Sequence, residues 1–301
     1  MLIFQIIYSW NLTYLKVFNL KAVITAAGIG TRMLPITKEI PKEMFPIIVY
    51  VNGHWTLRPT LQVIFETLFA IGVREFCFIV NRFKRVIENY FSPDEEFINL
   101  LKRKGKIVEA EDLRKFYEKI KTSTIVYINQ YEQLGFGHAV LLAKSFVGSE
   151  PFIVHAGDDY IISPDNDHLK RLIRVFNEFK ANATVLIERI SDPRKYGVVN
   201  GQFITDDIIE VNTIIEKPKE PPTNLAVVAV YIFNDKIFKA LREVGFDESG
   251  EIPLSAAIDY LAKMEGGVYG VLLKEGEKRV DVGSPEAYIQ GLNLAYGEVI
   301  G

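Results

Sequence analysis

Five apolar runs of strand length recur along the chain: Ala22 to Ala26, Glu75 to Val80, Thr124 to Ile128, Phe152 to Ala156 and Thr184 to Glu188, with helical stretches between them. The runs are continuous and do not alternate with polar residues. A strand with one face in water alternates, whereas a strand covered on both faces does not. The pattern therefore predicts an α/β chain whose mostly parallel sheet is buried between helices. Helical patterning covers about residues 60–71, 108–120, 137–145, 166–179, 235–244, 254–264 and 284–296. Ser163, Pro164, Asp165 and Asn166 supply cap and first-turn residues to the fourth of these. Beyond about Val198 the strands shorten and turn residues multiply, including Asn200-Gly201 and the Pro218 to Pro222 run, which predicts an antiparallel addition to the same core.

With 301 residues, 49% of them hydrophobic, the chain has material for one large domain. Its formal charge of −3 excludes a general electrostatic role in binding nucleic acid, so any phosphate binding must be local. The single cysteine, Cys77, reads as a buried structural thiol and allows no intrachain disulfide, which fits a reducing, cytoplasmic setting. The segment Met1 to Leu20 is apolar, with Lys16 as its one charged side chain. Polar residues interrupt it, and neither a leading basic residue nor a small-residue cleavage site accompanies it. It reads as an extra strand or helix packed on the body, or as an upstream extension of a domain that starts near Lys21, and not as a signal or membrane anchor. The basic stretch Lys102 to Lys106 reads as a solvated helix end.

The segment from Lys21 to Pro35 is a strand that runs straight into a glycine-containing loop, Ala26-Ala27-Gly28-Ile29-Gly30-Thr31-Arg32. Gly28 and Gly30 let backbone N–H groups approach an anion closely. Arg32 and Lys42 follow: a planar guanidinium grips phosphate oxygens bidentately and an ammonium is a mobile point charge, a pair suited to a polyphosphate. The Lys-Ser/Thr ending of a P-loop and the third glycine of a dinucleotide fingerprint are both missing, and an ordinary strand-to-helix turn is the alternative. Downstream, Gly157-Asp158-Asp159 puts carboxylates at the carboxyl end of an apolar strand, where ligands of open α/β sheets bind. Paired Asp also starts helices and turns.

The longer run Gly28 to Met44, Gly-Ile-Gly-Thr-Arg-Met-Leu-Pro-Ile-Thr-Lys-Glu-Ile-Pro-Lys-Glu-Met, resembles the signature of the bacterial-type UTP–glucose-1-phosphate uridylyltransferases, within the wider sugar nucleotidyltransferase family. The resemblance continues from Lys21 to about Ala295. It implies a Rossmann-like three-layer α/β/α fold with a mostly parallel, mixed central sheet and a small antiparallel addition. Behind the extension at 1–20 it implies one nucleotidyltransferase domain over 21–301. The nucleotide-binding part would be at about 21–195, the sugar-binding part at about 196–283 and the C-terminal helix at about 284–296. The implied activity is Mg2+-dependent conversion of UTP and glucose 1-phosphate to UDP-glucose and pyrophosphate. The alternatives are a dTTP-using or other sugar-1-phosphate pyrophosphorylase, and a non-catalytic nucleotide-sugar-binding subunit. Relatives are often dimers or tetramers, so a homo-oligomer is expected, with neither nucleic acid nor membrane as a partner.

The same resemblance assigns roles. Ala26, Ala27, Gly28, Gly30, Thr31 and Arg32 would hold the nucleotide phosphates, and Gln130 with the Gly135 backbone would read the base. An amide that donates and accepts at once suits a uracil edge. His138 is taken as a capping or packing residue. Asp158 matches the family's metal-binding aspartate and Asp281, in Val280-Asp281-Val282-Gly283, is the second Mg2+ ligand, although Asp281 could instead cap the turn after it. Gly197, Glu216 and Lys217 would bind the sugar phosphate, and Arg32, Lys42, Asp158 and Lys217 would carry the catalysis. Three segments depart from the family pattern. Asn52-Gly53-His54-Trp55 replaces a short turn, with Arg58-Pro59 in place of Lys-Pro. Ala229-Val230 stands where Gly-Arg is usual, and Ser255-Ala256 where many relatives have Thr-Asp.

Overall fold

The computed structural model describes residues 20–51 and 53–300, so the extension Met1 to Leu20 lies outside the described residues apart from Leu20 itself. The strands are β1 (Lys21–Thr25), β2 (Pro46–Val51), β3 (His54–Pro59), β4 (Glu75–Val80), β5 (Thr124–Asn129), β6 (Phe152–Ala156), β7 (Asp159–Ile162), β8 (Ala183–Arg189), β9 (Gly197–Phe203), β10 (Ile208–Glu216), β11 (Leu225–Phe233), β12 (Val268–Leu272) and β13 (Lys278–Asp281). The helices are α1 (Thr60–Ala70), α2 (Arg85–Tyr90), α3 (Glu95–Arg103), α4 (Ile107–Lys121), α5 (Gly135–Leu142), α6 (Lys144–Val147), α7 (Asp167–Glu178), α8 (Lys236–Val244), α9 (Leu254–Ala262) and α10 (Pro285–Ile300).

Nine strands form one mixed sheet in the order β5-β4-β1-β6-β11-β8-β12-β10-β9. It is parallel from β5 to β6 and again at β8–β12, and antiparallel where β11 and β10 enter. The five continuous apolar runs are strands of this sheet. β1 shows why they do not alternate: Ile24 packs with Phe65 of α1, Phe78 and Leu172 on one face, and Val23 packs with Cys77, Ala139 and Phe238 on the other. Both faces are dry, so both need apolar side chains. Cys77 is fully buried there and burial pushes its thiol up to about 12, an inert packing residue as expected.

Two short antiparallel pairs flank the sheet, β2–β3 and β7–β13. The first carries the inserted Gly53-His54-Trp55 segment, and its Arg58 is buried in ion pairs with Glu66 and Asp112, the latter at 2.6 Å. The second matters for the site. A tight Gly157-Asp158 turn joins β6 to β7, and β7 pairs with β13 so that Asp159 lies opposite Asp281. Some local expectations shift. A 3-10 turn at Pro164–Asn166, with Asp165 and Asn166 in left-handed backbone, delays α7 to Asp167. The solvated Lys102 to Lys106 stretch closes an unforeseen helix, α3, and leads into α4. No helix among the described residues is long and apolar enough to cross a membrane.

Candidate active site

The carboxyl ends of β1 and β6 are tied together by Gly157 N–H, which donates to Thr25 O at 2.9 Å. Ala26 donates to Ile79 O at 2.8 Å, and the Asn81 side-chain amide donates to Ala27 O, so the start of the glycine loop is pinned to the end of β4. Gly30 takes φ 74, the left-handed region that a residue with a β-carbon enters only at a cost, and Thr37 Oγ1 donates to its carbonyl at 2.8 Å. The strand-to-helix turn that stood as the alternative does not form. Pro35 and Pro41 divide the following backbone into three 3-10 turns, Thr31–Met33, Ile36–Lys38 and Lys42–Met44. Arg32 is exposed on the first and Lys42 opens the third.

Lys42 does not point to open space. Its ammonium forms an ion pair with Asp158. Burial alone would lower the lysine pKa, but the carboxylates around it, Asp158 first and then Glu43 and Asp281, together raise it. Burial pushes the Asp158 carboxyl the other way, and Lys42 prevails to hold it below the usual range. A β-carbon placed on Gly283 would stand 2.9 Å from Asp281 Oδ1 and 3.3 Å from both Asp158 Oδ2 and Arg32 Nη2. Arg32, Asp158 and Asp281 therefore converge on one point. Asp281 also accepts the Gly283 N–H at 2.7 Å, so it caps that turn and faces the cleft at once. Burial and then the neighbouring Asp159 raise its pKa.

Directly behind Lys42, Glu43 is 1% exposed and accepts from Lys84 Nζ at 2.7 Å. This buried pair ties the Lys42–Met44 turn to the residues before α2. A Lys84→Met protein should lose about 3 kcal/mol in urea unfolding, the low end for breaking a buried pair, because Glu43 can take up a proton once unpartnered. Unchanged unfolding would show that the pair is not structural.

At the base end, Gln130 Nε2 donates to Gly135 O at 3.0 Å and lies 3.1 Å from His138 Nδ1. The structure thus joins Gln130, Gly135 and His138, and His138 is a packing partner of the amide. The close approach expected of Gly135 and Gly137 is made first to the protein itself. A β-carbon on Gly137 would stand 2.4 Å from Ile252 O, and one on Gly135 2.8 Å from Glu251 Cβ.

A cleft of about 1230 Å³ is lined by Arg32, Asp158 and Asp281 and by Gly197, Glu216 and Lys217. Six residues singled out in the sequence, from five separate segments, thus share one cavity. A β-carbon on Gly197 would lie 3.4 Å from Glu216 Oε2, beside Ile214 and Val227 at 3.5 and 3.6 Å. Lys217 holds φ 41, unusual for a lysine before proline and worth about 1 kcal/mol of strain; its ammonium is exposed, 3.3 Å from Glu216. Two of the departing positions, Ala229 and Ser255, line the same cleft.

Sequence reading missed Arg279. Its side chain is 12% exposed, donates through Nε to Asp159 at 2.7 and 2.9 Å, and packs over the Tyr196 ring at 4.8 Å. The signal was present: Arg279 and Asp281 stand two apart on a strand and so share a face.

The chain matches the nucleotidyl transferase family model over residues 21–296. It belongs to the nucleotidyl transferase family. Among members of that family, the UTP–glucose-1-phosphate uridylyltransferase of Pseudomonas aeruginosa is 34% identical over 281 residues, covering 92% of this chain and 95% of the relative. The structure is similar to that of an apo UDP-glucose pyrophosphorylase, with a TM-score of 0.83 and 32% identity over 93% of this chain and 99% of the other. It is also similar to a UDP-glucose pyrophosphorylase complexed with UDP-glucose, at a TM-score of 0.78 and 33% identity with the same coverage. The nucleotidyl transferase match thus spans every segment that meets at the cleft.

Proposed function

We propose that this chain is a UTP–glucose-1-phosphate uridylyltransferase, making UDP-glucose and pyrophosphate. The observation that carries the reading is the convergence of Arg32, Asp158 and Asp281 at one side of a cleft that also holds Gly197, Glu216 and Lys217. Its relatives bear that activity in their names.

A sugar-phosphate oxygen attacks the α-phosphorus of UTP in line; the new O–P bond forms as the bond to the β-phosphate oxygen breaks, and pyrophosphate leaves. The nucleophile is already ionised at neutral pH, so no general base is needed and catalysis rests on positioning and on charge. The Ala26 to Thr31 backbone, Arg32 and Lys42 hold the nucleotide phosphates. Gln130 and Gly135 read the uracil edge, Gly197 and Glu216 receive the sugar, and Lys217 aims its phosphate. Two hard-oxygen carboxylates that converge and repel one another fit a magnesium ion, which takes one or two carboxylates beside phosphates and waters. Asp158 and Asp281 would hold it, and it would supply positive charge for the reacting phosphates when bound.

The deciding experiment is pyrophosphate release by the purified protein with magnesium, offering UTP and dTTP against a panel of sugar 1-phosphates. UTP with glucose 1-phosphate should be the best pair. No release from any pair would favour a binding subunit, and a preference for dTTP would replace the uridylyl assignment. Arg32→Ala should cut turnover about a hundredfold, the usual loss for one charge-stabilising donor, with unfolding unchanged because Arg32 is exposed. Near-normal turnover in that variant would remove Arg32 from the phosphate site.

A further inference from the structure

Three carboxylates crowd the turn between β6 and β7 and the facing end of β13: Asp158, Asp159 and Asp281. Like charges directly opposite one another destabilise a strand pair, and Asp159 is opposite Asp281. Lys42 answers Asp158. Arg279 answers the other two: Nε bonds both oxygens of Asp159, and Nη2 lies 3.9 Å from Asp281 Oδ2. Its guanidinium rests on the ring of Tyr196, the residue before Gly197 at the sugar end. One side chain therefore touches both the carboxylate pair and the sugar side of the cleft.

We propose that Arg279 is a positioning residue. It engages Asp159 as a fixed counter-ion, leaves Asp281 as the carboxylate turned to Asp158, and couples that pair to the seating of Tyr196. A planar guanidinium does this where an ammonium cannot, because Nε serves Asp159, Nη2 reaches toward Asp281, and the face stacks on the ring. The inference rests on the uridylyltransferase reading in taking Asp158 and Asp281 as the ligands of magnesium.

The test is metal binding without turnover. Mn2+ bound by the UTP-loaded protein, with no sugar phosphate present, is followed by electron paramagnetic resonance, beside the Mg2+ dependence of pyrophosphate release. Arg279→Met should weaken Mn2+ binding about 10- to 100-fold and raise the Mg2+ needed for half-maximal rate by the same factor, as loss of a ligand-orienting partner does. Arg279→Lys, which keeps the charge but not the fork or the stacking, should fall between. Tyr196→Leu should weaken Mn2+ binding to a smaller degree, and Tyr196→Phe, which keeps the ring face, should leave it as in the wild type. If Arg279→Met does not fold, Arg279→Lys and the Tyr196 pair carry the same comparison. Variants with wild-type Mn2+ affinity and Mg2+ dependence, whatever their stability, would overturn the positioning role while the wild type still turns over. A wild type that releases no pyrophosphate would overturn the uridylyltransferase reading instead.

Discussion

Asp158→Asn should lower pyrophosphate release by about a thousandfold. Asp158 lies in the turn after β6, at the point where Arg32 and Asp281 converge, so the substitution removes one of the two carboxylates that would hold magnesium. A metal acting as a Lewis acid is worth several kcal/mol of transition-state charge stabilisation, and about 4 kcal/mol corresponds to three orders of magnitude in rate. The amide keeps the shape of the side chain, so the effect is one of charge. It also strips Lys42 of its partner, and a part-buried ammonium without a carboxylate is free to occupy the phosphate site in a different pose. The two consequences separate in kinetics: loss of the metal lowers kcat at any Mg2+ concentration, and release of Lys42 changes KM for UTP. Circular dichroism checks the fold, and steady-state turnover across a Mg2+ series makes the measurement. A folded Asp158→Asn protein within tenfold of the wild-type rate would remove Asp158 from the metal assignment.

The parts of this molecule that were legible in sequence are those governed by local pattern. Burial on both faces of a central strand forces a continuous apolar run, and β1, β4, β5, β6 and β8 could be read from that alone. The glycine loop was legible because Gly30 needs a left-handed backbone, a demand that shows as a residue type. The backbone after it was not read, since the three 3-10 turns follow from where Pro35 and Pro41 fall and not from any periodicity. The short pair β7–β13 was also invisible, because each strand is four residues long and its pairing spans more than a hundred positions.

The same contrast divides the site. Asp158, Asp281 and Glu216 stand at strand ends or turns, and it was the family resemblance that nominated them for the site. Their countercharges were harder: Lys84 meets Glu43 across 41 residues and Arg279 meets Asp159 across 120, and although Arg279 shares a strand face with Asp281, nothing local in the sequence pairs it with Asp159. Lys42 was legible as a cation but not as the partner of Asp158. Charges that must be buried are satisfied by tertiary structure, so their pairing appears only when the strands are assembled.

Acid should destabilise this protein from about pH 6.5 downward, through two histidines that take no part in the chemistry. His155 lies in β6 between β1 and β11, 1% exposed, with Nδ1–H donating to Ala156 O at 2.7 Å. His168, in the first turn of α7, is equally buried, and neither ring nitrogen has a hydrogen-bond partner among the described residues. Burial pushes His155 down to about 4, and burial together with the neighbouring His155 and Arg171 pushes His168 down to about 3, against an ordinary value of 6.5. The folded protein therefore refuses protons that the unfolded chain binds below pH 6.5. Stability is complete above that pH and is lost as the pH falls toward the two folded values. At pH 5, about 1.5 units below the ordinary pKa, each histidine costs about 2 kcal/mol, so the pair removes about 4 of the 5–15 kcal/mol that hold a typical domain together. Urea unfolding at pH 7 and pH 5 measures the difference directly. His168→Phe, which fills similar space without a titrating group, should halve it and leave pH 7 stability intact or higher. Equal stability of the wild type at the two pH values, or an unchanged pH dependence in His168→Phe, would mean that these histidines reach water or a partner in solution.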